Sequence, residues 1–180
     1  MMIQILNFIL SKRKTKLGAS GFYPIPRWLR FFLNRYHVMK RVAIYAQLVK
    51  GADMSLLAPD EYGCEESVTR LLRMVDPNLT PVFTFTLDGL RYMNKHNRFI
   101  EIDKSIIKDG VVVIAATGTW KGKTPKDPNI LNGHTGIFVG GHVYSNNSYT
   151  GMWDNVWNLN HFIEYYQLRG GMKVRFFAII

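Results

Sequence analysis

The sequence predicts an α+β domain in which helices come first and an antiparallel sheet follows. Three observations lead to this fold class. Apolar residues recur at helical spacing after Cys64, whereas short apolar runs typical of strands follow Asp109. A Gly140-Gly141 pair separates two of those runs and indicates a tight β-hairpin. Strands and helices do not alternate regularly, so a parallel sheet is not expected.

The chain of 180 residues divides into a basic N-terminal extension at 1–52 and a domain at 53–180. Residues 1–50 contain ten Lys or Arg and no Asp or Glu, so they hold the whole formal net charge of +10. A linker rich in Lys, Gly and Pro precedes residues 28–50, where helix-like spacing predicts an amphipathic helix. Such an arm suits nucleic acid, anionic membrane surfaces or wall polymers, and it equally suits a solubilising tail.

The apolar opening run at residues 1–10 has about half the length of a membrane span. Its positive charges follow it, whereas those of a signal peptide precede the apolar stretch. We therefore expect neither a signal peptide nor a transmembrane helix.

The domain is expected to begin with two helices and to end in a strand. Cys64 opens the first helix, Pro77 ends it, and apolar residues between them keep the spacing of a core-facing stripe. These apolar residues are Val68, Leu71, Leu72 and Val75. The other predicted elements are a helix at 87–95, a strand at 111–115, a loop at 117–133, a hairpin of 135–139 and 142–147, a helix at 158–167 and a strand at 173–180.

Cys64 is the only cysteine, which excludes an internal disulfide. A lone cysteine is most often a buried apolar filler. At the start of a helix, however, the helix dipole favours a thiolate, and the free backbone N–H groups there suit an oxyanion. Glu65 and Glu66 follow directly, and their charges would raise the pKa of the thiol. Both also suit the first turn of any helix, where they would point outward and compensate the dipole.

His134 is the candidate base, because it follows a long loop and stands at the mouth of a strand. A third group should orient the imidazole. If Gly140-Gly141 forms a two-residue turn, His134 lies directly opposite Asn147, and a slip of one residue would put Asn146 there instead. The remaining histidines, interpreted as surface or packing residues, are His37, His96, His142 and His161.

Three segments carry a family resemblance. They are Tyr62-Gly63-Cys64-Glu65-Glu66-Ser67-Val68, Asp109-Gly110-Val111-Val112-Val113-Ile114 and Asn132-Gly133-His134-Thr135-Gly136-Ile137-Phe138-Val139-Gly140. Over about residues 53–180 the chain resembles the NlpC-type papain-like cell-wall peptidases and the related CHAP amidases. The resemblance implies a papain-like fold with helices packed on a small antiparallel sheet, and a triad of Cys64, His134 and a polar residue on the next strand. Two departures are Gly63, where many members have Asp, and the lack of a His on the second strand.

The resemblance implies a peptidoglycan hydrolase, either an endopeptidase or an amidase, that cuts a peptide amide bond by a thiol mechanism. No metal and no cofactor are expected, and no cluster of residues has the spacing of a zinc site. The segment Ser145-Asn146-Asn147-Ser148 is similar to bacteriophage lysins and virion-borne muralytic proteins.

That similarity implies a location in a phage virion, or in the host cytoplasm before release to the cell wall. The expected partners are peptidoglycan, phage structural proteins, and a polyanion or membrane surface at residues 1–50. The alternative interpretation is an inactive or structural virion protein that binds nucleic acid, membrane or wall polymer through its basic arm.

Overall fold

Helices and a six-stranded antiparallel sheet make up the structure, a computed structural model that describes residues 37–59, 62–116 and 133–180. The α+β class is confirmed. The described helices are α1 (Val38–Leu48), α2 (Cys64–Val75), α3 (Thr86–Lys95) and α4 (Leu159–Ile163). The strands are β1 (Phe99–Ile102), β2 (Val112–Ala116), β3 (His134–Val139), β4 (His142–Ser145), β5 (Asn155–Asn158) and β6 (Lys173–Ile179). The predicted linker and most of the predicted loop at 117–133 lie outside the described residues.

The sheet has the strand order β1-β6-β2-β3-β4-β5, and every pairing is antiparallel. Strands β2 to β5 form a meander, and the sequence predicted its first three strands. Gly140 and Gly141 turn the β3–β4 hairpin with φ angles of 57° and 85°, and Val139 pairs with His142 as predicted. The last strand, β6, enters between β1 and β2, a position that the sequence pattern did not predict.

The two faces of the sheet carry separate hydrophobic clusters. Along β3, Ile137 and Val139 belong to the cluster that includes α1 and α2, whereas Phe138 belongs to the cluster that includes α4. This alternation is expected of a strand that is covered on both faces. Helix α2 therefore lies on one face of the sheet, with its apolar stripe buried as predicted.

Helix α1 is part of the core, although it falls inside the predicted extension at 1–52. Its Val42 and Ala46 side chains are fully buried. The indole Nε1 of Trp153 donates a 2.8 Å hydrogen bond to the backbone oxygen of Ala46, which ties α1 to the segment after β4. The packed unit consequently includes residues before Asp53.

Two further differences concern the ends of the sheet and the last helix. Strands β1 and β5 were not predicted. The predicted helix at 158–167 begins at Leu159, capped by Asn158, and continues as a π-helix at Glu164–Arg169. None of the helices in the described ranges is long and apolar enough to cross a membrane.

Candidate functional site

Cys64 is the first residue of α2, and its thiol is buried, with 6% of the residue exposed. The sulfur lies 3.7 Å from the hydroxyl oxygen of Thr86, at the start of α3, and 4.0 Å from the backbone oxygen of Gly133. The N-cap residue of α2 is Gly63, which makes no side-chain capping hydrogen bond. The thiol is thus enclosed by the beginnings of two helices and the segment that enters β3.

His134 is the first residue of β3 and is 7% exposed. Its Nε2 lies 2.9 Å from the hydroxyl oxygen of Ser145 on β4, which is fully buried. The ring stacks on Tyr166 at a centroid distance of 5.5 Å and an interplanar angle of 8°, and Phe162 lies beside it. Position and orientation of the imidazole are therefore both fixed.

Cys64 and His134 are brought to the same place, but their side chains are not joined. The thiol contacts the residue before His134 through the Gly133 oxygen, and the backbone N–H of the next residue, Thr135, also acts on the sulfur. Within the described ranges, no hydrogen bond connects the thiol with the imidazole. The resting arrangement is a neighbouring pair rather than a bonded one.

Burial keeps both groups uncharged near neutral pH. Burial, followed by the charge of Glu65, raises the pKa of the Cys64 thiol to about 11, although the Thr86 hydroxyl lowers it. Burial also lowers the pKa of His134 to about 4. A thiolate–imidazolium pair is therefore not the resting state. A neutral imidazole beside a neutral thiol is still the correct form for a general base.

The two asparagines predicted as orienters have other partners in the structure. The Asn147 side-chain oxygen accepts a hydrogen bond from the backbone N–H of Tyr149 and so stabilises the loop after β4. The Asn146 side-chain oxygen accepts one from the Ser67 hydroxyl on α2. The residue that bonds the imidazole is Ser145, which sequence reasoning missed. It lies two residues before Asn147 and so on the same face of its strand, which is the signal that could have identified it.

Glu65 and Glu66 do not point outward, and that expectation was wrong. Both are fully buried. The Glu66 carboxylate accepts hydrogen bonds from the backbone N–H groups of residues 56–58 and from the Arg70 guanidinium at 2.6 Å. The carboxyl group of Glu65 packs against α3 instead and has no hydrogen-bond partner in the described part of the chain. Protein surrounds the first turn of α2 on both sides, which leaves no outward face there.

The space around Gly63 explains why this position carries no acid. A Cβ atom added at Gly63 would lie 2.5 Å from both Cβ and Oγ of Ser55, and 3.0 Å from Nδ2 of Asn146. Ser55 and Asn146 are both buried, so neither can move into solvent. Any side chain at position 63 would have to displace this cluster.

The described residues contain no group of three or more His, Cys, Asp or Glu that could hold a metal ion. An open groove of about 410 Å³ is lined by residues of α3 and its flanking segments, Phe83, Asp88, Arg91, Tyr92, Lys95 and His96. Cys64 and His134 do not line it.

No family model, no curated protein and no solved structure matches the chain. The structure supports the coarser description, helices packed on a six-stranded antiparallel sheet. The papain-like assignment and the family resemblance of residues 53–180 remain predictions.

Proposed function

We propose that the protein is a papain-like cysteine hydrolase that cleaves an amide bond in the peptide part of bacterial peptidoglycan. One observation supports this proposal above the others: the Cys64 thiol opens a buried helix and lies against the two residues that flank His134. A nucleophile at a helix start and a base from a different element are the two parts that thiol acyl transfer requires.

The reaction begins with proton transfer. The neutral His134 imidazole takes the proton from Cys64, and the sulfur attacks the substrate carbonyl carbon, so that a C–S bond forms and the oxygen becomes an oxyanion. Free N–H groups in the first turn of α2 stabilise that oxyanion. His134 then donates the proton to the leaving amine as the C–N bond breaks, and water hydrolyses the thioester.

Ser145 takes the role that Asn147 or Asn146 was expected to fill. Its hydroxyl holds Nε2 of His134 in a buried hydrogen bond, which leaves Nδ1 as the nitrogen for proton exchange. Substrate entry must also separate the thiol from Thr86 and Gly133, since both residues contact the sulfur at rest.

The choice of peptidoglycan, and of a phage lysin or virion component as the biological setting, depends on the sequence resemblance. In that setting the protein acts from a virion, or from the host cytoplasm after release. Phage structural proteins would be its partners before it reaches the wall.

The test is the clearing of purified peptidoglycan by the wild type, Cys64→Ala and His134→Gln, with mass spectrometry of the released fragments. His142→Gln is the matched control, because His142 is an exposed histidine on the neighbouring strand. We expect clearing by the wild type and the control, and a loss of at least about 10³-fold in Cys64→Ala. Equal clearing by Cys64→Ala would refute the thiol mechanism, and the fragment masses identify the bond.

A second candidate function is polyanion binding through the basic arm, favoured by the placement of all ten excess cations in residues 1–50. The deletion that tests it must end before α1, because α1 belongs to the core. Removing residues 1–36 deletes seven of the ten cations and leaves α1 in place. Binding to duplex DNA or anionic vesicles should then weaken and lose much of its salt dependence. Unchanged binding would exclude the arm as the binding element.

A further inference from the structure

Glu65 is a buried acid for which the proposed reaction has no use. It follows Cys64 directly in α2 and is fully buried, and neither of its carboxyl oxygens has a hydrogen-bond partner among the described residues. Burial, and after it the charge of Asp88 on α3, raise the pKa of Glu65 well above its ordinary value. Asp88 and Cys64 are the titratable neighbours that act on it or respond to it. Burial therefore disfavours the charged form of this carboxyl group in the folded protein.

The space for this carboxyl group is made by Gly89, the fourth residue of α3. A Cβ atom added at Gly89 would lie 1.8 Å from Oε1 of Glu65 and 2.3 Å from its Cδ. Glycine is unfavourable inside a helix, so its presence at a buried position calls for a packing reason. Here the reason is contact: the carboxyl group of Glu65 rests directly on the α3 backbone.

The turn of α3 that receives Glu65 is also the turn that reaches the thiol. Thr86, three residues before Gly89, contacts the Cys64 sulfur through its hydroxyl oxygen at 3.7 Å. The methyl group of Thr86 faces the other side of the site, since a Cβ atom added at Gly133 would lie 3.3 Å from it. A shift of this turn would therefore change the surroundings of both Cys64 and the entry to β3.

We propose that Glu65 is a positioning residue for the Cys64 thiol: its carboxyl group, resting on Gly89, holds the first turn of α3 so that Thr86 contacts the sulfur. This inference rests on the proposed function, because it assigns Glu65 a part in the same site. Glu65 does not touch the reacting atoms. It acts through α3, and charging it would set a carboxylate beside both Asp88 and the forming thiolate.

The single cysteine makes the test specific, because alkylation by iodoacetamide reports on Cys64 alone. In the wild type, labelling should be slow and should rise with pH toward about 11. Gly89→Ala should displace α3 and expose the thiol, which speeds labelling about tenfold and moves the pH midpoint down toward about 8.5. Glu65→Ala should act in the same direction, because it removes the support of the turn.

The double variant and the isosteric variant decide the question. The three atoms nearest to an added Gly89 Cβ all belong to the Glu65 carboxyl group, so the methyl group that Gly89→Ala introduces fits once that carboxyl group is removed. Glu65→Ala/Gly89→Ala should therefore label more slowly than either single variant. Glu65→Gln, uncharged and of the same shape, should keep the wild-type labelling rate at neutral pH, whereas its pH midpoint should fall because the charge of Glu65 helps to raise the pKa of the thiol.

Substitutions at Thr86, a second position on α3, test the contact between its hydroxyl group and the Cys64 sulfur. Thr86→Val keeps the shape of the side chain and removes the hydroxyl, so the pH midpoint of labelling should rise, whereas Thr86→Ser should retain the wild-type midpoint. Thermal unfolding followed by circular dichroism establishes that each variant is folded at the labelling temperature. Additive effects of Glu65→Ala and Gly89→Ala, or fast labelling of Glu65→Gln, would overturn the proposal.

Labelling needs no substrate, so it is independent of the proposed hydrolase activity. Peptidoglycan clearing, measured on the same variants, separates the two ideas. If the effects of Glu65→Ala and Gly89→Ala on labelling are coupled but the wild type clears no peptidoglycan, the positioning role stands and the hydrolase proposal is refuted. If the wild type clears peptidoglycan but the two effects on labelling are additive, the hydrolase proposal stands and the positioning role is refuted.

Discussion

His134 is held from two directions, by the Ser145 hydroxyl at Nε2 and by the Tyr166 ring against its face. A neutral imidazole has one donor nitrogen and one acceptor nitrogen, and the partner of one nitrogen decides the role of the other. When Nδ1 exchanges the proton, Nε2 keeps its hydrogen in both the neutral and the charged ring, so the Ser145 hydroxyl accepts this hydrogen bond throughout the proposed cycle.

Ser145→Ala should disrupt both the stability and the chemistry of the site. Without the hydroxyl, a buried ring nitrogen loses its partner, which should cost about 1–3 kcal/mol in the free energy of unfolding measured in urea. The imidazole ¹⁵N shifts should change, and any peptidoglycan clearing should fall. Asn147→Ala is the control, because it removes only the bond to the Tyr149 N–H. A changed imidazole spectrum in Asn147→Ala alone would identify Asn147 as the partner.

The site residues could be predicted from sequence only as far as local rules reach. The Gly140-Gly141 turn set the register of the hairpin, and that prediction is confirmed. The partner of His134 was missed, because a side chain on a twisted sheet can reach diagonally as well as straight across. The burial of Glu65 and Glu66 was missed because it depends on α3 and on residues 56–58, which are brought to α2 only by the fold.

At the scale of elements, Glu66 holds residues 56–58, which precede Cys64 in the chain, against α2. Its carboxylate receives the backbone N–H groups of Leu56, Leu57 and Ala58 and pairs with Arg70. Burial raises the pKa of Glu66, but these hydrogen bonds outweigh burial, and the net pKa is lowered. One side chain thus stabilises three backbone groups that belong to no helix or strand.

Glu66→Gln should loosen this segment and remove a pH-dependent contribution to stability. Because the pKa of Glu66 is lower in the folded protein than in the unfolded chain, its contribution is present above about 4.5 and is lost as the pH falls through the folded value. We expect a loss of about 3 kcal/mol at neutral pH by urea unfolding. Glu164→Gln, an exposed acid, is the matched control. A similar loss in both variants would contradict the anchoring role.

The elements themselves were predictable where the pattern was long. Helix α2 begins at Cys64 and ends before Pro77 as expected, since an apolar stripe that keeps helical spacing between a start and a stop signal has one interpretation. Strands β1 and β5 were missed because each has four residues, lies at an end of the sheet and exposes much of its surface. The strand order of the sheet, with β6 between β1 and β2, follows from long-range pairing that no local pattern encodes.

At the scale of the whole molecule, stability should depend on pH through two buried groups that act in opposite directions. His134 has a folded pKa of about 4, below its ordinary 6.5, so acid charges the unfolded chain before the folded protein. The contribution of His134 to stability therefore falls as the pH drops from 6.5 toward 4, by roughly 3 kcal/mol. Glu65 has a raised pKa, so above its ordinary 4.5 the unfolded chain releases a proton that the folded protein keeps. The contribution of Glu65 therefore falls as the pH rises above 4.5.

Between about pH 5 and 6.5 the two contributions should nearly cancel, and one substitution should reveal each of them. Glu65→Gln removes the titration of the acid, so stability should rise with pH across this window and should no longer fall above it. His134→Gln removes the imidazole titration, so stability should fall with pH from about 5 onward. Urea unfolding at intervals from about pH 5 to about pH 9, a range above the titration of Glu66, measures both slopes. If the stability of Glu65→Gln does not rise between about pH 5 and 6.5, His134 is not buried in its neutral form.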